Sequence, residues 1–281
     1  MAELLSGRSA AAAIRTDVAA RIARLGFAPR LALLRVGDDP DDLAYIRSIE
    51  RQCAAVGAET EHFALPLGCT TGELLHAVET VNRSADLHGC LLLRPLPDGI
   101  DERAVCDALL PEKDIDGMSS HSLGALFVGD DTAFAPCTAQ ACVELLDYYH
   151  LSIAGRHAVV LGRSLVVGRP LGQLLLQRDA TVTLCHSKSR ELPALCRSAD
   201  LLISAVGQIG LVDKHCMHAG QIVLDVGTTM CGEQLMGDVN AVDAEDLVRA
   251  YSPVPGGVGA VTTAVLLRNL VTAAERSMQT A

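Results

Sequence analysis

Aromatic residues are almost missing from this chain: they make up 3% of its 281 residues, and Trp is absent altogether. Any core must therefore be built from Ala, Val, Leu and Ile. Basic residues are also short, 23 Lys and Arg against 34 acids, for a formal charge of −11. A sequence-independent nucleic-acid binder or a polybasic membrane-surface protein needs the opposite balance. A local basic pocket for one anionic cofactor stays compatible with it. Cysteines number ten, but no CxxC occurs and no Cys/His cluster has zinc-ligand spacing, so no metal is expected. Several lie inside apolar runs, where thiols behave as small hydrophobes. With no secretory signal, such cysteines fit a reducing cytoplasm. Every long apolar stretch is broken by Arg, Gln or Gly before about 18 residues, so no transmembrane segment is expected.

What is present is ample material for folding. Hydrophobic residues make up 49% and charged residues 20%, which excludes a disordered chain, and the length fits two domains. Helical and strand patterns alternate almost throughout, the mark of α/β architecture with a largely parallel sheet. Helices are expected from Ser9 to Leu25, up to about Val56, over Thr71–Val81, Asp101–Leu110 and about 139–149, and from Thr262 to about Arg276. Strands are expected at Arg30–Val36, Glu61–Leu65, Gly89–Arg94, His157–Leu161, Thr181–Cys185, Leu201–Val206 and Ile222–Val226. The last helix is apolar on most of its surface and is expected to pack back on the first domain.

The segment His157–Pro170 (HAVVLGRSLVVGRP) carries the first chemical signal. A buried strand enters a turn bounded by Gly162 and Gly168, then a helix with Pro170 in its first turn. Backbone N–H groups and the dipole at such a helix start favour phosphate, although an ordinary strand–helix turn would look the same. The next strand ends in His186-Ser187-Lys188, with no acid to hold a ribose diol. With Arg163 in the preceding turn, cations and a hydroxyl there suit a 2′-phosphate, so NADP is preferred to NAD. The alternative is that Arg163 and Lys188 are solvated surface charges. Three further segments stand out: Lys113-Asp114-Ile115-Asp116-Gly117, Pro136-Cys137-Thr138, and Pro253-Val254-Pro255-Gly256-Gly257-Val258-Gly259. The glycines of the last permit a bend that lets backbone approach a ligand.

In this order and spacing, these motifs resemble the methylenetetrahydrofolate dehydrogenase/cyclohydrolase (FolD) family, from the first helix to the last. The resemblance implies two α/β domains flanking a cleft, and a homodimer. A folate-binding catalytic domain would span 1–145 with 262–281, and a Rossmann-like NADP-binding domain 146–261. It implies oxidation of 5,10-methylenetetrahydrofolate to the methenyl form, then hydrolysis to 10-formyltetrahydrofolate. Tyr45 falls on the family's folate-stacking tyrosine and Asp116 on the aspartate that holds the pterin ring, both counted as catalytic. Pro255, Gly256, Gly257, Val258 and Gly259 would lie along the substrate. Gly162, Arg163 and Ser164 match the nucleotide turn, His186 and Ser187 the region near the adenosine ribose, and Thr228 the position beside the nicotinamide. For each, packing is the plain alternative: Tyr45 as a core aromatic, Asp116 as a helix cap.

Two positions depart from the family pattern. Its lysine, four residues after the tyrosine, is Ile49 here, and its glutamine before Leu-Pro is Leu93. Arg94 comes one residue later, and in a regular strand it would face the opposite side. Hydride transfer needs positioning above all, whereas ring hydrolysis needs proton transfers. Dehydrogenase activity is therefore expected to survive where cyclohydrolase is weakened. Three other readings remain at this level: a bifunctional enzyme in which Arg94 or Arg47 replaces the lysine, a non-catalytic folate- or nucleotide-binding homologue, and a related dehydrogenase acting on a different substrate.

Overall fold

Strands and helices alternate along the chain in the computed structural model, which describes residues 2–232 and 234–280. The elements begin with β1 (Glu3–Leu4), α1 (Gly7–Leu25), β2 (Arg30–Val36), α2 (Pro40–Val56), β3 (Glu59–Leu65), α3 (Thr71–Arg83) and β4 (Gly89–Leu92). Next come α4 (Glu102–Ala108), α5 (Ser120–Val128), α6 (Cys137–Tyr148), β5 (His157–Leu161), α7 (Gly168–Gln177), β6 (Thr181–Cys185), α8 (Leu192–Arg197) and β7 (Leu201–Ser204). Last are β8 (Ile222–Asp225), β9 (Thr229–Cys231), β10 (Gln234–Met236), α9 (Ala241–Leu247), β11 (Ala250–Tyr251) and α10 (Val258–Thr280). They sort into two units, Ala13–Cys137 with Ala264–Ala281, and Met1–Ala12 with Thr138–Thr263.

The first unit holds a three-stranded parallel sheet in the order β3-β2-β4. β2 is its centre and is mostly buried, which suits the apolar run Leu31–Leu34 at its middle. Helix α2 starts where Asp39 accepts a hydrogen bond from the Asp41 N–H at 2.8 Å, with Pro40 in the first turn. Helix α3 opens with a reciprocal cap: the Thr70 hydroxyl accepts from the Glu73 N–H, and Glu73 accepts from the Thr70 N–H. Ala32, Leu34, Leu74, Val78, Val81, Cys90 and Val105 form one core, with no aromatic ring among its buried members. Within this unit the end of α10 is tied down by Arg21, which donates to both oxygens of Glu275 at 3.0 and 2.6 Å.

The second unit holds a six-stranded sheet, β1-β11-β8-β7-β5-β6, parallel throughout. From β5 the chain goes to β6 on one side and then returns to β7 on the other. That reversal places a switch point beside the carboxyl end of β5, the usual ligand crevice of such sheets. Two features depart from expectation. Glu3 and Leu4 pair with Ala250 and Tyr251, so the first residues join this sheet rather than the 1–145 grouping. An antiparallel hairpin, β9 with β10, follows β8 directly. Among the described residues no helix is long and apolar enough to cross a membrane.

Candidate functional site

The candidate residues fall into two groups. Tyr45, Ile49, Leu93 and Asp116 belong to the three-stranded unit, and the nucleotide turn, His186, Ser187, Thr228 and the Pro255–Gly259 loop to the six-stranded one.

On α2, Tyr45 is 40% exposed, so the reading of a core aromatic does not hold. Ile49, one turn later, is fully buried. An ammonium at that depth would lose hydration and have its pKa lowered, as a proton-transferring lysine requires. An isoleucine offers no proton. Leu93 is also buried, and its N–H donates to the Leu34 carbonyl at 2.9 Å. β4 ends at Leu92, not at Arg94 as the sequence pattern suggested. Arg94 is therefore not bound by strand alternation, and its side chain points inward rather than away. Its Nη2 lies 3.7 Å from Asp116 Oδ2 and its Nη1 3.4 Å from Glu102 Oε1.

The Lys113–Gly117 loop divides its charges between structure and site. Lys113 is buried, and its Nζ donates to the carbonyls of Val81, Asn82 and Ser84 at 2.7, 3.0 and 2.6 Å. It thus closes the carboxyl end of α3, where a cation also meets the helix dipole favourably. Asp114 accepts from the Met118 and Ser119 N–H groups and from the Ser122 hydroxyl, bracing the entry to α5. The capping role considered for Asp116 falls to Ser119, whose hydroxyl accepts from the Ser122 N–H, with Asp114 supporting it from behind. Asp116 keeps a side chain 24% exposed. Burial pushes its carboxyl up to about 6, against the charge of Arg94 and hydrogen bonds from Cys137. Asn269 on α10 locks the same loop, donating to the Ile115 carbonyl at 2.8 Å.

In the six-stranded unit the turn after β5 is held by close backbone packing. Gly162 has φ +116°, and a Cβ there would lie 2.5 Å from the Ala205 carbonyl oxygen. A Cβ on Gly168 would lie 2.2 Å from the Gly162 carbonyl oxygen. Only glycine fits at either position. The N–H groups of Val167 and Gly168 are not open to a phosphate, because the Ser164 Oγ accepts from both, at 3.1 and 3.4 Å. Ser164 keeps its hydroxyl hydrogen to donate, and Arg163 is exposed beside it. After β6, His186 Nδ1 accepts from the Lys188 N–H at 3.1 Å, so the neutral ring carries its hydrogen on Nε2. Ser187 and Lys188 are both exposed.

Thr228 follows β8 and is exposed, while its neighbour Thr229 donates to the Gly207 carbonyl at 3.1 Å. The Pro255–Gly259 loop packs on the start of α1, where the Gly7 N–H donates to the Gly256 carbonyl at 2.9 Å. Sequence patterns did not single out a buried acid pair at the same sheet end. Asp238 accepts from the Ser204 hydroxyl and from the Val206 and Gln208 N–H groups, at 2.8, 2.8 and 2.7 Å. Asp225 accepts from the N–H groups of Asp238 and Val239. Burial, with the nearby Asp238 charge, pushes Asp225 up to about 7 despite those bonds. The pair orders the segments after β7 and β8. No local pattern marks it, since its members stand far apart from their partners in sequence. Among the described residues no cluster of His, Cys, Asp or Glu could hold a metal ion.

Comparison with known proteins gives this arrangement a family. Residues 5–116 match the catalytic domain of tetrahydrofolate dehydrogenase/cyclohydrolase, and residues 136–278 match its NAD(P)-binding domain. The bifunctional protein FolD of Moorella thermoacetica is 43% identical over 279 residues, covering 98% of this chain and 99% of the relative. The solved bifunctional FolD enzyme of Campylobacter jejuni superposes with a TM-score of 0.96 at 34% identity, covering 98% and 99% of the two chains. That of Trypanosoma brucei, solved with NADP and an inhibitor, superposes at 0.94 with 34% identity and covers 99% of both. Over its whole length, this chain belongs to the tetrahydrofolate dehydrogenase/cyclohydrolase family.

Proposed function

We propose that this chain oxidises 5,10-methylenetetrahydrofolate to 5,10-methenyltetrahydrofolate with NADP, and that its cyclohydrolase step is weak. The observation that carries the second half is the burial of Ile49 and Leu93, apolar side chains at the positions where the family has its lysine and glutamine. In the three-stranded unit, exposed Tyr45 stacks on the folate and Asp116 receives the N–H groups of its pterin ring. In the six-stranded unit, Gly162–Ser164 hold the pyrophosphate side of the nucleotide, and His186, Ser187 and Lys188 its adenosine ribose. Thr228 lies at the nicotinamide, and Pro255–Gly259 runs along the substrate. The residues present fit the cofactor: a turn that admits only glycine, a free hydroxyl hydrogen on Ser164, cations on both neighbouring loops, and no acid at the end of β6. NADP supplies the hydride acceptor. What the protein adds is alignment of the methylene carbon, since the cation left behind is stabilised by its own nitrogens. The active form is a homodimer.

Retention of both activities through Arg94 is the second reading, favoured by its approach to Asp116. Against it, a guanidinium does not lose its proton at any working pH and cannot take one from water. The test is a steady-state assay with 5,10-methylenetetrahydrofolate and NADP, following NADPH and, separately, the decay of added methenyltetrahydrofolate over buffer. NADPH formation without faster methenyl decay is expected. Acceleration of both would overturn the assignment of Ile49 and Leu93, and silence in both would overturn the enzyme reading.

A further inference from the structure

Arg94 carries a charge into the interior, and none of the roles above explains it. Its side chain is 15% exposed, so the guanidinium is largely out of water and needs anionic partners to be there. It has two, Asp116 and Glu102, and with Asp116 it lines one small cavity together with Leu92, Val105 and Met118. Glu102 is itself held in place, since its Oε2 accepts from the Leu96 N–H at 3.4 Å. The guanidinium is thus fixed between the start of α4 and the Asp116 loop. Ile49 and Leu93 contribute no polar atom to this region.

We propose that Arg94 is a positioning residue for the substrate: its charge, 3.7 Å from Asp116 Oδ2, keeps that side chain a carboxylate, ready to receive the N–H groups of the pterin ring. The inference rests on the reading of Asp116 given under the proposed function. A carboxylate accepts on both oxygens, whereas a carboxylic acid spends one as a donor and receives the ring poorly. Other charged groups act on Asp116 from each neighbouring element. Asp114, in the same loop, disfavours its ionisation, while the Cys137 thiol and N–H at the start of α6 favour it. Arg268 on α10 acts on Cys137. Glu102 on α4 competes with Asp116 for the Arg94 charge. Arg94 is thus the fixed positive charge that offsets burial at this carboxyl, and it does so without serving as a proton carrier.

The test is a carbon-13 NMR titration of the Asp116 carboxyl in the full chain, with Asp116→Asn assigning the signal. The wild type should titrate near 6. Arg94→Leu should move the midpoint up by about one unit or more, as expected when a neighbouring cation is removed. Arg94→Lys should move it less, and Glu102→Gln should move it down by releasing Arg94 from its second partner. The acid limb of kcat/KM for methylenetetrahydrofolate should follow each midpoint, with the change carried by KM and not by kcat. A midpoint unmoved in Arg94→Leu overturns the proposal. Should that variant fail to fold, midpoints unmoved in both Arg94→Lys and Glu102→Gln overturn it equally. A moved midpoint with an unmoved acid limb also overturns it, because the pair would then be structural only. Midpoints moved in the variants, with a wild type that does not turn over the folate, would leave the ion pair standing and remove the substrate assignment instead.

Discussion

The six-stranded unit forms its candidate nucleotide edge largely from backbone, and the three-stranded unit forms its candidate folate face from side chains. Around Gly162 and Gly168, carbonyls sit where any Cβ would be, and Ser164 closes the turn by accepting from the chain three and four residues on. Around Asp116, the loop is braced by Lys113 and Asp114, and the remaining chemistry depends on what projects from α2 and the end of β4. The two constructions differ in how they tolerate change. A backbone site resists substitution because the new atom meets backbone that cannot step aside. A side-chain site can lose a polar group to an apolar one of similar size and keep its packing. Ile49 and Leu93, fully or nearly enclosed, are the side chains that would fit that description under the proposed function.

The sharpest way to break this contrast is Gly168→Ala. Its Cβ would stand 2.2 Å from the Gly162 oxygen and 2.8 Å from the Arg163 nitrogen, all backbone. A loss of roughly 3 kcal/mol or more, with nucleotide binding abolished, is expected. Thermal denaturation and NADP titration check it, and a variant that folds and binds normally would show the turn to be pliant. On the other side of the comparison, Ile49→Lys with Leu93→Gln should raise hydrolysis of methenyltetrahydrofolate by about 10²- to 10⁴-fold, the usual worth of a positioned acid–base group. The same variant should lose stability, because an ammonium enters a fully enclosed position.

How much of this could be read from residues follows the same division. The strands Arg30–Val36, His157–Leu161 and Thr181–Cys185 have the bounds the sequence suggests: the first two are mostly buried central strands, and the third is a half-exposed edge strand marked by its β-branched residues. The strand expected to run to Arg94 stops at Leu92. A pattern of apolar residues cannot reveal where the ladder stops, and that stopping point decides which way Arg94 turns. The hairpin of β9 and β10 has three-residue, mostly exposed strands and no periodicity to announce it. β1 was invisible because two residues become a strand only through Ala250 and Tyr251, far along the chain. In the candidate site, Asp114 and Asp116 look alike in sequence, and only the donors around Asp114 mark it as the brace of the loop. The role of Ser164 as the acceptor closing its turn was hidden for the same reason.

Asp225 offers a comparison within the backbone-built edge, where one buried carboxyl works through charge. Its pKa in the folded chain is about 7, well above the ordinary carboxylate value. Between about pH 4 and 7 the unfolded chain has released this proton while the folded chain still holds it. Stability should therefore fall as pH rises through that window and level off above it. At about 1.4 kcal/mol per unit, the change amounts to a few kcal/mol at most. Asp225→Asn, which cannot ionise, should flatten the slope in chemical denaturation at pH 5 against pH 8, the first about a unit above the unfolded midpoint and the second about a unit above the folded one. An unchanged slope would mean that other groups set it.

Smaller effects test the charges at the rim. Arg163→Ala should cut the preference for NADP over NAD by about tenfold, the equivalent of one modest ionic contact near 1.4 kcal/mol. Steady-state kinetics with both nucleotides measures it, and because the side chain is exposed the effect should shrink with added salt.

The smallest effect separates glycines the backbone needs from one it does not. Gly124 sits inside α5, is exposed, has no heavy atom within 4 Å of where its Cβ would be, and lacks a positive φ. Glycine in a helix interior costs roughly 0.5–1 kcal/mol against alanine, because its unfolded backbone has more freedom to lose. Gly124→Ala should therefore stabilise the three-stranded unit by about that amount and leave NADP affinity alone. The opposite signs expected for Gly124→Ala and Gly168→Ala turn on the space open to a single methyl group. If Gly124→Ala destabilised the protein, the space around α5 would be claimed by something other than this chain's described atoms, and the glycine would belong with those that serve a contact.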